Sequence, residues 1–217
     1  LLADVSHELR TPLARLNLAI GLARQDPAKL ATSLDRISGE AAKLDEMVGE
    51  LLTLAKLESG QSKGEDYFNF AEVVKAVVQD ARYEASGKGV EVLLDVQPDD
   101  ESFEWIALGS GRLISRAIEN IVRNAVRYSS EGGKVTATLR QEGALYCLKV
   151  TDEGPGIPEE AMSALFMPFG VSADGFGFGL GLAIAQRAMA VHGGSISARN
   201  LQPKGLEMAV ALPAAAV

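Results

Sequence analysis

Apolar residues near the start of the chain fall at Leu2, Val5, Leu9, Leu13, Leu16, Ile20 and Ala23, every third or fourth position. A second series runs Leu30, Leu34, Ile37, Ala41, Leu44, Val48, Leu51 and Ala55, with the same alternation. Each is the narrow stripe of a long helix of coiled-coil type. Asp26 and Pro27 interrupt the pattern between them, so the two form a hairpin. Two such helices bury little against each other; a hairpin from a second copy completes a four-helix bundle, which predicts a homodimer through 1–58. The polar stretch ESGQSKGED, starting at Glu58, marks 59–66 as a linker. Beyond it, in 67–217, short alternating runs predict strands near Tyr67–Phe70, Val90–Val96, Glu104–Ala107, Lys134–Gln141, Ala144–Thr151, Ser195–Asn200 and Leu206–Leu212. Helical periodicity predicts Ala71–Ser86, Ser110–Tyr128 and Leu182–Val191. The fold class is therefore α+β: a helical hairpin followed by an α/β sandwich, whose mixed or antiparallel sheet is covered by helices on one face.

Composition narrows this picture. Hydrophobic residues are 47% of the 217, and charged residues 23%, as in a folding chain. The net charge of −8 argues against a nucleic-acid binder. Cys147 is alone, so no internal disulfide can form, and its apolar surroundings predict a buried structural thiol. No apolar run reaches membrane-spanning length, and no signal peptide is visible. The opening LLADVSHELR, without Met or a capping signal, reads as a fragment that begins inside a helix.

Ser6-His7-Glu8-Leu9-Arg10-Thr11-Pro12-Leu13 carries candidate chemistry. His7 stands two residues from both Val5 and Leu9, about 200° from each around the helix, and so faces away from the stripe. An imidazole accepts a phosphoryl group well when one nitrogen is free and an acceptor holds the other. Glu8 can be that acceptor and take the proton. Thr11, four residues on, shares the face of His7. Pro12 removes a helix hydrogen bond and should bend the helix there.

Four clusters in the second domain suggest a nucleotide. Asn120 and Asn124 share one helix face, where amide oxygens can hold a hard cation without adding charge beside a triphosphate. Asp152-Glu153-Gly154-Pro155-Gly156-Ile157-Pro158 follows an apolar strand; Asp152 can accept from an exocyclic amine, and the glycines let the backbone approach a flat ring. Leu165-Phe166-Met167-Pro168-Phe169 comes next. Then Gly177, Gly179 and Gly181 lead into a helix whose N-terminus suits phosphate oxygens. No Gly-Lys-Ser/Thr follows, so this is not a P-loop.

SHELRTPL resembles the H-box of sensor histidine kinases, and the hairpin around it resembles their dimerisation and histidine-phosphotransfer domain. The four later clusters, in this order, resemble the N, G1, F and G2 boxes of the Bergerat (GHKL) ATP-binding domain, shared with Hsp90 chaperones, type II topoisomerases and MutL. NIVRNAVRYS and TPLARL resemble the CpxA-like subgroup. The resemblance implies that His7 is the phosphoacceptor, Glu8 the general base, and Thr11 a residue that positions water when the enzyme dephosphorylates its regulator. It implies ATP and Mg²⁺ as cofactors, with Asn124 and Asn120 serving the metal, partly through water. Arg127 would contact phosphate, Tyr128 would pack at the nucleotide, and Asp152 would read adenine. Gly154 and Gly156 would shape the base pocket, and Gly177, Gly179 and Gly181 would line the triphosphate. Ile157, Phe169, Phe178, Leu180 and Leu182 would complete the ATP-binding set. The implied partners are a second copy of the chain and a response-regulator receiver domain. The implied location is the cytoplasmic portion of a bacterial inner-membrane sensor, with no membrane segment in 1–217.

The resemblance breaks after Phe169. The family continues with an aromatic and a basic residue, then a lid of a dozen or more residues. Here Gly170-Val171-Ser172-Ala173-Asp174-Gly175 follows, with nothing basic before Gly177, and Phe176 and Phe178 stand where smaller residues are usual. A naturally short lid, a deletion and an omitted segment all fit this pattern. The alternative to an active kinase is thus a nucleotide-binding dimeric scaffold or an ATP hydrolase. The hydrolase reading is weakened because Glu119 sits one residue, about 100°, from the place of Asn120.

Overall fold

The computed structural model describes residues 2–59, 66–98, 103–170 and 178–215. Helices α1 (Leu2–Gln25) and α2 (Leu30–Glu58) form the hairpin. A 3₁₀ turn, Pro27–Lys29, joins them, and Asp26 Oδ1 accepts the N–H of Ala28 at 3.0 Å. Helix α1 continues through Pro12 without a break, and Pro12 itself is buried. Leu13, Leu30, Leu34 and Val48 of the two apolar stripes remain exposed on the single chain.

The sandwich follows as β1 (Tyr67–Asn69), α3 (Phe70–Ser86), β2 (Glu91–Gln97), β3 (Ile106–Leu108), α4 (Gly111–Tyr128), β4 (Lys134–Glu142), β5 (Leu145–Asp152), α5 (Glu159–Met162), α6 (Gly181–Val191), β6 (Ser195–Asn200) and β7 (Leu206–Pro213). The main sheet is mixed, in the order β2-β4-β5-β7-β6, with β2 parallel to β4 and the other pairs antiparallel. Strands β1 and β3 pair separately.

Side-chain alternation makes this sheet one-sided. Val92 pairs with Val135, Leu139 with Leu148, Leu148 with Val210, and Tyr146 with Leu212, and all are buried. Helices α3, α4 and α6 cover that face with Val74, Val78, Ile114, Ile118, Ile121, Ile184 and Met189. The same alternation corrects one expectation. Cys147 falls between the buried Tyr146 and Leu148, and so lies half-buried on the opposite face. It is not a core thiol, although burial still raises its pKa.

Helix α2 has a second apolar edge that the stripe count missed. Met47, Leu54 and Leu57 are buried in the same cluster as the sandwich. Polar contacts flank this edge. Arg116 Nη1 of α4 donates to Thr53 Oγ1 at 2.8 Å, and Thr53 Oγ1 donates to the carbonyl of Gly49 at 2.8 Å. Glu50, half-buried beside them, has its pKa raised to about 6, first by burial and then by Glu46, against the opposing pull of Arg116 and Arg123.

A carboxyl with a raised folded-state pKa favours the fold when protonated, and that contribution is lost as pH rises through about 6. Glu50→Gln should therefore raise the thermal unfolding midpoint at pH 7.5. It should raise it less at pH 5, a difference that scanning calorimetry at the two pH values will read.

Candidate nucleotide site

Helix α4 is the wall of the site. Ser110 caps its start, the Oγ accepting the N–H of Leu113 at 3.4 Å. Ile114, Ala117, Ile118, Ile121, Val122 and Ala125 are buried, which holds the helix at a fixed rotation. That rotation leaves Asn120, Asn124, Arg127 and Tyr128 half-buried along its flank. At the other end Lys88 Nζ donates to the carbonyls of Val126 at 3.2 Å, Ser129 at 2.7 Å and Arg127. A cation there answers both the unpaired carbonyls and the negative end of the helix dipole.

Asn120 Nδ2 donates to the carbonyl of Gly181 at 2.9 Å, which ties α4 to the first residue of α6. A Cβ on Gly181 would stand 3.0 Å from the Asn120 amide, so glycine permits this approach. The side chain of Asn124 makes no hydrogen bond among the described residues. The guanidinium of Arg127 lies 5.4 Å from the ring centroid of Tyr128.

Strand β5 delivers Asp152 to the end of α4. Only 6% of this residue is exposed. Its Oδ1 accepts the N–H of Gly154 at 2.8 Å and of Leu206 at 3.3 Å. Burial raises its pKa, and these two N–H donors partly offset that. Gly154 packs under the last turn of α4, where a Cβ would come within 2.5 Å of the Tyr128 carbonyl oxygen. Asn200 holds the following loop: its Oδ1 accepts the N–H of Ile157 at 2.9 Å, and its Nδ2 donates to the Ile157 carbonyl at 2.7 Å. Gly156, at φ +75°, turns the chain beside that amide.

Phe169 and Gly179 close the remaining side. The N–H of Phe169 donates to the carbonyl of Gly179 at 3.1 Å, which pins together the two ends of the intervening loop. Phe169 adopts φ +61°, a conformation that costs a non-glycine residue about 1–3 kcal/mol. Gly179 has φ +68°, and Leu180 is fully buried at the entry to α6. Among the described residues no side chain caps this helix, so its first N–H groups keep their capacity for an anion. Phe178 and Leu182 are half-buried against the core. Gly177 and the short loop expected at 171–176 lie outside the described residues.

The structure thus brings together Asn120, Asn124, Arg127, Tyr128, Asp152, Gly154, Gly156, Ile157, Phe169, Phe178, Gly179, Leu180, Gly181 and Leu182 around the α4–β5–α6 corner. His7, Glu8 and Thr11 are exposed on α1, a different element from those that form the corner. Lys88 and Asn200 hold the corner, yet no sequence motif announced them. Their partners are 38 or more residues away, so local pattern carries no trace of the bonds. A cleft of about 460 Å³ between α2 and α6, lined by Leu57, Glu58, Arg187, Ala190 and Val191, shares no residue with this corner. A buried acceptor, an unbonded amide and an uncapped helix start fit an amino-bearing base joined to phosphates.

Comparison with known proteins agrees with this geometry. Residues 109–216 match the family described as Histidine kinase-, DNA gyrase B-, and HSP90-like ATPase, and residues 1–60 match the His Kinase A (phospho-acceptor) domain. The sensor histidine kinase CpxA of Escherichia coli is 33% identical over 98% of this chain and 46% of its own length. The sensor protein PfeS of Pseudomonas aeruginosa is 36% identical over 100% of this chain and 47% of its own length. The chain therefore spans about half the length of the curated relatives it matches. The solved structure of the Acinetobacter baumannii histidine kinase AdeS is similar with a TM-score of 0.74 at 25% identity, covering 97% of this chain and 98% of that one. Carrying a phosphoacceptor-type hairpin and a nucleotide-type sandwich in one chain, the protein belongs to the sensor histidine kinases.

Proposed function

We propose that this chain moves the γ-phosphoryl group of ATP onto His7, and from there to an aspartate of a separate response regulator. The observation that carries this reading is the pairing of an exposed His7, with Glu8 beside it, and a nucleotide-shaped corner in one chain. In the transfer the bond from γ-phosphorus to the bridging oxygen breaks as one imidazole nitrogen bonds to phosphorus. Glu8 accepts the N–H of the other nitrogen and takes up its proton. Asp152 accepts from the adenine amine, the first turn of α6 and Arg127 face the phosphates, and Tyr128 packs at the base. Catalysis is then mostly positioning and charge stabilisation.

Among the described residues no cluster of three His, Cys, Asp or Glu is placed to hold a metal ion. The donors that fit Mg²⁺ are the amide oxygens of Asn124 and Asn120, partly through water, together with the phosphates themselves. Asn120 keeps its oxygen for this because its Nδ2 is the atom bonded to Gly181. Such an ion would neutralise charge on the phosphates.

The hairpin 1–58 is a dimerisation unit in this reading, with a second copy covering Leu13, Leu30, Leu34 and Val48. Thr11, on the face of His7, positions water for dephosphorylation of the regulator, whose receiver domain docks near His7. No described helix is long and apolar enough to cross a membrane. We place the chain as the cytoplasmic part of a bacterial inner-membrane sensor, in keeping with its coverage of half of such relatives.

Three outcomes test this function. With γ-labelled ATP and Mg²⁺, the wild type should acquire acid-labile, alkali-stable label, whereas His7→Ala should acquire none and still bind nucleotide; label persisting in His7→Ala would overturn the assignment. Asn124→Ala should weaken Mg-ATP binding about tenfold or more in a calorimetric titration, the loss of one polar partner being about 1–3 kcal/mol. Asp152→Asn should weaken ATP binding similarly, because an amide can present N–H where the adenine amine needs an acceptor. The nucleotide-free protein should meanwhile gain thermal stability. Asp152 has a raised pKa, so its ionised form costs the fold increasingly as pH rises above the ordinary carboxylate range. The gain in unfolding midpoint should accordingly be larger at pH 8 than at pH 5.

A further inference from the structure

His192 ends α6 and engages both of its ring nitrogens. Nε2 accepts the N–H of Ser110 at 2.9 Å. Nδ1 lies 2.7 Å from the carbonyl oxygen of Ala188. Accepting at Nε2 requires the ring proton to be on Nδ1, from which it is donated to Ala188, so the two bonds specify one neutral tautomer. The ring is also seated sterically. It lies over Gly109, where a Cβ would stand 2.0 Å from its Cδ2, and Gly109 adopts φ +137°.

Ser110 is the N-cap of α4, and α4 carries Asn120 and Asn124. The start of α4 therefore meets the end of α6, and the two helices run antiparallel. Ten residues along α4, Asn120 meets Gly181 at the start of α6. From Ser110 to Asn120 is about 15 Å of helix, and from Gly181 to His192 about 16 Å. Matched lengths are thus bonded at both ends. The bond from Asn120 to Gly181 lies inside the nucleotide corner and shares its amide with it. The bond from Ser110 to His192 lies at the far end, ten residues along α4 from Asn120.

We propose that His192 is a positioning residue for the nucleotide: by fixing α4 against α6 at their far ends, it sets the separation of Asn120 and Asn124 from the Gly179–Leu182 turn. This rests on the reading of that corner as the ATP site. Apolar helix surfaces packed together can slide, and a misplacement of about 1 Å at a site costs up to about 100-fold. With the His192 bond gone, the Asn120 amide is the remaining side-chain hydrogen bond between α4 and α6 among the described residues.

The test compares two substitutions in the 217-residue chain. In His192→Gln the side-chain oxygen can still accept from Ser110. In His192→Asn the amide can reach Ala188 but not Ser110. Mg-ATP affinity is titrated well below the unfolding midpoint of each variant, and KM and kcat for labelling of His7 are measured beside it. We expect His192→Asn to raise the Kd and KM for Mg-ATP about tenfold with a smaller change in kcat, and His192→Gln to restore both to within about twofold. Unchanged Kd and KM in His192→Asn, even with a lowered midpoint, would reduce His192 to a structural role and overturn the proposal. Equal losses in both variants would also overturn it, since the Ser110 bond would then not be what matters. Failure of the wild type to bind Mg-ATP would instead remove the ATP reading itself, and this proposal with it.

Discussion

Burial of one face of α4 is the constraint on which the rest depends. Ile114, Ile118, Ile121 and Val122 have almost no exposure, and each contributes about 1.5–3 kcal/mol by leaving water. Because they lie at helical spacing, their burial fixes the rotation of the helix about its own axis. The rotation places Asn120 and Asn124 on the boundary between core and solvent. There an amide can reach a ligand yet cannot swing far from it. Both helix ends are tied down by side chains from elsewhere, Ser110 with His192 at the start and Lys88 at the end. A helix with frayed ends would offer the same asparagines over a range of positions.

Much of this was legible from the chain because it rests on local rules. The alternation in β4 and β5 and the hydrophobic period of α4 each state their element within a few residues. The glycine clusters point to close backbone approaches, and Gly154 and Gly181 do sit where a Cβ would collide with Tyr128 or Asn120. Long-range pairing was not legible. Nothing in β2 or β4 alone says that they run parallel, and the short helix α5 is too brief to show a period. The stripe count on α2 found the edge that stays exposed and passed over Met47, Leu54 and Leu57, which follow the sandwich and not the hairpin. Cys147 was misplaced because an apolar strand looks the same on either face until a neighbouring strand sets its register. The positive φ of Phe169 had no signal at all, since no glycine marks it.

Three departures from ordinary stability rules lie at the candidate nucleotide corner. Asp152 is a buried carboxylate with its pKa raised, and a fold selected for stability alone would place an apolar residue at the end of β5. Two backbone donors make the charge tolerable, and both aim at the same oxygen, Oδ1. That arrangement supports the side chain from behind and fixes its orientation. Phe169 adds backbone strain at the mouth of the loop, and α6 begins with no side-chain cap among the described residues. Each of these features lowers stability a little, and all three lie at the same corner.

Glu50 shows the same logic at a different place. It is raised to about 6 by burial between α2 and the sandwich, next to the bond from Arg116 to Thr53. Its cost falls on the contact between the hairpin and the nucleotide domain, and not on either unit's own core. At neutral pH that contact therefore carries a penalty which the two units do not carry alone. In the proposed transfer the sandwich leaves this position to bring a bound nucleotide to His7, which lies exposed on α1, a different element from those that form the corner. A contact held by Met47, Leu54 and Leu57, by the charge-assisted bond from Arg116 to Thr53 and by an exposed Arg187–Glu58 ion pair at 4.0 Å, and weakened by one half-buried carboxylate, is strong enough to form and weak enough to be exchanged. The energetics of α2 thus belong to the proposed phosphotransfer as much as the asparagines of α4 do.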